Sequence, residues 1–138
     1  MTKEDLRKFI GNQSLGVLAT ISPSGAPQSA LIGIAVTTEL EVIFDTVASS
    51  RKYRNLTQNA TASLVIGWHG ETTVQFEGEA GQPSESELAR YKNVYFAKWP
   101  ECRSHETWPG IAYFVVRPKW IRYSDYDQRP PLIEEFTF

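Results

Sequence analysis

Between Phe44 and Leu56 the chain reads Phe44-Asp45-Thr46-Val47-Ala48-Ser49-Ser50-Arg51-Lys52-Tyr53-Arg54-Asn55-Leu56. An apolar strand, Leu40 to Phe44, runs into a short polar turn and then into a helix whose first turns carry Arg51, Lys52 and Arg54. The start of a helix carries roughly +0.5 of a charge, so each cation placed there is disfavoured by about 0.3–1 kcal/mol. Free backbone N–H groups, the Ser49-Ser50 pair able to cap them, and Arg51 with Lys52 together describe a cradle for a dianion such as a phosphate ester. A bound phosphate turns the unfavourable placement into a favourable one. Without it, the same residues are a solvated basic helix start.

Other groupings carry less chemistry. The spacing of Cys102-Arg103-Ser104-His105 can chelate, and His69 would add a ligand, but one Cys and two His fall short of a closed structural zinc set. The expectation is an ordinary loop there and no metal. No Ser, His and acid grouping has the strand-turn-helix context of Gly-x-Ser-x-Gly, so hydrolytic catalysis has no support.

The elements that must hold the cradle follow from patterning. At 138 residues the chain is expected to be one domain, residues 1–138. Thr2 followed by Asp5 starts a helix with Leu6, Phe9 and Ile10 on one face, a lid over the core in place of a signal sequence. Leu15 to Ile21 and Pro27 to Val36 form a hairpin about Ser22-Pro23-Ser24-Gly25. Gly33 inside the second arm marks a bulge, or a place where something flat approaches the backbone.

Leu40 to Asp45 is a third strand, and the helix runs from about Ser50 to Gln58 with Asn59 closing it. Thr61 to Trp68 and Thr73 to Gly81 make a meander, and Ser84 with Glu87 forms a capping box for a third helix. Gly110 to Val116 and Lys119 to Tyr126 read as two strands broken by Pro118, and the tail Arg129-Pro130-Pro131-Leu132 reads as extended. Short antiparallel strands at hairpin spacing with few helices imply a mainly β fold, a closed or partly closed barrel with flanking helices.

A net charge of −2 argues against nucleic acid as the main partner. One cysteine allows no intrachain disulfide, and no apolar run approaches the ~20 residues that span a bilayer. The expected compartment is the cytoplasm, with no membrane partner. The aromatic residues crowding the chain after Trp99 suggest a subunit interface or a cleft for a planar ligand.

From Gly25 to Gly81 the chain resembles the pyridoxamine 5'-phosphate oxidase family of FMN-binding split barrels. The resemblance rests on Gly25-x-Pro27, Val42-Ile43-Phe44, Thr46 through Ser50-Arg51-Lys52, Ala62-Ser63-Leu64-Val65 ending at Trp68-His69, and Thr73-Val74 through Gly78-x-Ala80. It implies an antiparallel, Greek-key-like split barrel and a homodimer with one FMN per subunit at the interface. On the matching positions Arg51 and Lys52 would grip the FMN phosphate, assisted by Ser50 and Thr46. Asp45 stands where the family has an aromatic residue. Backbone groups of Ala30, Leu31 and Ile32 would lie against the flavin, and Thr73 would come from the partner subunit. Tyr91, Tyr95, Lys98 and Trp99 would line the substrate side, the alternative for Trp99 being to pack the helix onto the barrel. Some split-barrel relatives use F420 or haem instead.

The departures bear on the reaction. The family's strand Arg and Lys fall on Ala30 and Ala35, its helix Arg falls on Tyr95, and its C-terminal Arg-x-His pair is absent. Each charge-assisted phosphate contact is worth about 1.5–3 kcal/mol, so these losses imply that a phosphorylated vitamer is not bound selectively. The expectation is an FMN-dependent oxidoreductase acting on another small molecule, or a flavin-binding protein without turnover.

Overall fold

Burial alternates along Leu15–Ile21 and Thr61–Ile66, turning Leu18, Leu64 and Ile66 to one side of a curling sheet. The computed structural model describes residues 1–138. In chain order the elements are α1 (Lys3–Gly11), β1 (Leu15–Ile21), β2 (Pro27–Gly33), β3 (Ala35–Val36), β4 (Val42–Val47), α2 (Arg51–Gln58), β5 (Thr61–Ile66), β6 (Thr72–Gly81), α3 (Glu85–Lys98), a 3₁₀ helix (Pro100–Thr107), β7 (Ile111–Asp125) and β8 (Leu132–Thr137). Every strand pairing is antiparallel, in the path β2-β1-β5-β6-β7-β4-β3, with β8 beside β7. The two ends of that path, β2 and β3, are one run of chain joined at Ile34, so the sheet returns on itself as a split barrel flanked by helices.

The expected second arm therefore divides at Ile34. The Ile34 N–H bonds to the Ser14 carbonyl, and beyond it the chain leaves β1 and pairs with β4. Gly33 marks no bulge, since its register with Leu15 is regular. It is instead a place of flat approach: the Trp99 indole lies where a Cβ on Gly33 would meet it at 3.0 Å. The third strand starts at Val42, later than expected, because Leu40 takes φ 64° in a turn closed by its N–H to the Thr37 carbonyl. That conformation costs a non-glycine residue roughly 1–2 kcal/mol, which burial of the Leu40 side chain in the barrel core offsets.

Pro118 breaks no strand. β7 runs continuously from Ile111 to Asp125 because the β6–β7 register shifts between Glu77 and Gly78, leaving Lys119 as the extra residue of a bulge. A proline without an N–H is tolerated at such a position. The tail from Arg129 to Leu132, expected to be extended, bends at Arg129 and Pro130, and a strand not foreseen, β8, begins at Leu132 and pairs with the second half of β7. The segment after α3, expected as a loop, is a 3₁₀ helix.

Two apolar clusters result. One fills the barrel and takes Leu6 and Ile10 from α1, whose Thr2–Asp5 capping box forms as expected. The other lies outside β4 and β7, under α3 and the 3₁₀ helix, and includes Ile43, Tyr91, Tyr95, Phe96, Cys102 and Tyr113. At the start of α3, Ser84 caps no backbone N–H and its hydroxyl donates to the Glu87 carboxylate at 3.4 Å.

A Cβ at position 78 would stand 2.1 Å from the Arg117 carbonyl oxygen. Gly78→Ala is expected to destabilise the fold by about 1–3 kcal/mol, read as a lowered thermal midpoint. An unchanged midpoint would mean that the bulge yields freely.

Candidate functional site

The end of β4 and the start of α2 are tied by hydroxyl groups. Ser50, in extended conformation, accepts the Tyr53 N–H at 3.2 Å and lies 2.8 Å from Thr46 Oγ1. The first N–H groups of α2 have no acceptor within the helix, and its first turn holds no acidic residue. None of the ion pairs in the chain includes Arg51, Lys52 or Arg54. Arg51 and Lys52 share a recess of about 120 Å³ with Leu18, Thr20, Gln28, Ser29 and Ala30. Strand β2 thus forms one wall and two cations the other.

Asn55 sets that geometry, and sequence reasoning passed over it. Fully buried in α2, its Nδ2 donates to Thr20 Oγ1 and Gln28 Oε1, both at 2.9 Å, while its Oδ1 is buried without a partner. The available signal was a polar residue beside Leu56, in a helix too short to pack more than one face.

The other expected cofactor contacts scatter. Ala30 is half-buried in the recess, Leu31 turns outward at 61% exposure, and Ile32 is buried in the barrel core. Thr73 lies on β6 opposite Ser124, outside the recess, with its Oγ1 buried and unpartnered. Asp45 points to the opposite face of β4 from Thr46. Its Oδ1 accepts the Tyr95 hydroxyl at 3.2 Å, and its Oδ2 shares a 2.7 Å hydrogen bond with His105 Nδ1.

None of Tyr91, Tyr95, Lys98 and Trp99 lines the recess. The buried Tyr91 hydroxyl bonds both oxygens of Glu41, at 3.1 and 2.9 Å. Lys98 Nζ donates to the Gly11 carbonyl at 2.7 Å, and Trp99 Nε1 to the Ile34 carbonyl at 2.9 Å. Trp99 therefore packs α3 onto the barrel.

The sequence profile of pyridoxamine 5'-phosphate oxidase matches residues 2–125. The chain belongs to the pyridoxamine 5'-phosphate oxidase family. A pyridoxine/pyridoxamine 5'-phosphate oxidase of Burkholderia mallei is 34% identical over 140 residues, covering 94% of this chain and 64% of the relative. The chain thus spans less than two thirds of the length of the curated relatives it matches. Among solved structures, a heme binding protein from Mycobacterium smegmatis superposes with a TM-score of 0.84 at 18% identity, over 98% of this chain and 57% of the other. A pyridoxamine 5'-phosphate oxidase-related, FMN binding protein from Nostoc punctiforme gives 0.66 at 12% identity, over 99% and 92%. At these identities the structural likeness shows the fold.

The outer face of β4 in this chain is covered by aromatic residues. Ala35 is buried in the same cluster as Tyr91, Tyr95 and Tyr113. Burial first, and Glu41 next, raise the Tyr91 pKa; burial and then Asp45 raise those of Tyr95 and of Tyr113, the latter to about 12. An unfolded tyrosine titrates near 10. These phenols keep their protons longer in the folded state, so their contribution is complete below about pH 10 and is lost as pH rises through the folded values. Stability is expected to hold up to about pH 10 and to fall towards about pH 12, with a shallower fall in Tyr91→Phe. Urea midpoints across that range check this, and equal slopes in both proteins would contradict it.

Proposed function

We propose that the recess between β2 and the start of α2 binds the phosphate end of FMN, and that the protein is an FMN-dependent oxidoreductase acting on a small molecule other than a phosphorylated vitamer. The observation that carries this reading is a pair of cations, Arg51 and Lys52, at the positive end of a helix with no carboxylate paired to either. A dianion there converts two repulsive placements into charge-assisted bonds. The hydroxyls of Ser50 and Thr46 are within reach of the same helix start, and the β2 backbone at Ala30 offers a wall for a flat ring. When bound, the flavin itself accepts and donates hydride or electrons, which leaves the chain to anchor, orient and shield it. A phosphate dianion matches the paired cations more fully than the singly charged propionates of a haem, which favours FMN.

The same reading gives the protein a homodimer in the cytoplasm. Leu31, Val17 and Val65 stand abreast across β2, β1 and β5, with Leu31 and Val65 at 61% and 43% exposure. Exposed apolar residues aligned this way suit a subunit interface, and the unpartnered hydroxyl of Thr73 suits a group brought by the partner. A flavin carrier or sensor without turnover is the second reading, favoured by a recess lined by no carboxylate or imidazole.

Purified protein mixed with FMN is expected to retain the flavin spectrum after desalting and to melt at a higher temperature. Ligand at 100 times its dissociation constant adds about 2.7 kcal/mol. Arg51→Ala with Lys52→Ala should weaken FMN binding by several kcal/mol, at about 1.5–3 per lost contact, and leave the apo protein as stable or slightly more so. Colourless protein with an unmoved midpoint would overturn the assignment, and equal losses with and without FMN would make the pair structural. Reduction of bound FMN by NADH or NADPH separates the enzyme from the carrier. Leu31→Asp with Val65→Asp should shift the light-scattering mass from dimer to monomer; an unchanged mass would move the interface elsewhere.

A further inference from the structure

Every third residue from Trp99 to Trp108 lies along one edge of the 3₁₀ helix, because three residues complete a turn and side chains at i and i+3 eclipse. That edge carries Trp99, Cys102, His105 and Trp108, and it faces the outside of β4. Eight residues is long for such a helix, whose runs are usually three or four. It is held at one end by Trp99 bonded to Ile34, and at the other by Trp108 stacked on His105 with ring centroids 3.8 Å apart. The consequence is that Cys102 and His105 are presented together to Asp45, a residue distant in sequence.

One ligand atom each from Asp45, Cys102 and His105 lies within 4.8 Å of the others. We propose that these three residues form a divalent transition-metal site of the zinc type, separate from the flavin cradle on the other face of β4. The donor set is one thiolate, one imidazole and one carboxylate, which suits a borderline-soft ion and is wrong for magnesium or calcium. Tetrahedral zinc with bonds of about 2.0–2.3 Å holds its ligand atoms roughly 3.3–3.8 Å apart. Side-chain shifts of about 1 Å bring the set to that spacing.

The surroundings have the features of a ligand-orienting shell. Tyr95 donates its hydroxyl to Asp45 Oδ1, which leaves Oδ2 directed at His105. Tyr113, 4% exposed and opposite Asp45 on β7, has its hydroxyl buried with no partner. A metal-bound water is a group that this hydroxyl could bond. Asp45 and His105 retain 15% and 23% side-chain exposure, so the ion has a path in and an open fourth position. Binding involves no redox step. The metal takes the place of the proton between His105 Nδ1 and Asp45 Oδ2; that proton moves to Nε2 when the imidazole is neutral or leaves to solvent when it is charged, and the Cys102 thiol releases its own proton to solvent.

Cobalt(II) titrated into the full-length protein is the probe, since a thiolate ligand gives an intense near-ultraviolet charge-transfer band and tetrahedral cobalt gives strong visible bands. The expected result is both bands saturating at one cobalt per chain, bleaching on addition of zinc, with a zinc-dependent rise in thermal midpoint. Cys102→Ser should lose the near-ultraviolet band, and His105→Gln should lose the saturable visible bands; far-ultraviolet circular dichroism shows that each variant is folded. No thiolate band in the wild-type protein, or a band that persists in Cys102→Ser, would overturn the site. Flavin content, measured on the same samples, is expected to be unchanged, so failure here leaves the FMN reading standing.

Discussion

The pleat of β4 is the constraint on which both candidate sites depend. Successive residues of a strand face opposite ways, so Phe44 and Thr46 serve the barrel interior and the start of α2, while Ile43 and Asp45 serve the outer cluster under α3. A slip of one residue would exchange the two sets. The strand is fixed against that slip by pairing with β7 along its whole length and with β3 at its start, and by three buried residues in a row, Val42, Ile43 and Phe44.

Much of the cradle could be read from the chain because its signals are local. A capping serine, cations without neighbouring acids, and a closing asparagine all lie within a dozen residues, and α2 forms where they indicate. The helix's attachment was not legible, since Asn55 reaches Thr20 and Gln28 across separations of 35 and 27 residues. Strand alternation gave the barrel for the same local reason. It failed where a neighbour overrides propensity, as at Pro118, which is accommodated because Gly78 on the next strand leaves room for a bulge. Leu40 is a similar case, with core burial holding a conformation its side chain disfavours.

The outer cluster was the least legible part. The repeat of Trp99, Cys102, His105 and Trp108 at intervals of three matches neither the 3.6-residue helix nor the two-residue strand, so patterning for either returns a loop. Read at a period of three, the same residues form a single edge, buried at Cys102 and open at Trp108. The tyrosines of α3 posed a different difficulty. Their spacing fits both a ligand cleft and a core, and only the carboxylates of Glu41 and Asp45, contributed by another part of the chain, account for their buried hydroxyls. Ala35 and Tyr95 are both buried in that outer cluster, so these two positions are given over to packing.

The junction at Ile34 also bears on how the molecule assembles. The β1–β2 and β5–β6 hairpins join residues near in sequence and can condense early, whereas the ring is fastened by an indole donated from 65 residues away. Lys98 grips the end of α1 beside it across 87 residues. Contacts of such separation raise contact order, which slows a folding reaction, and both of these fastenings come from the end of α3, well past the elements they secure.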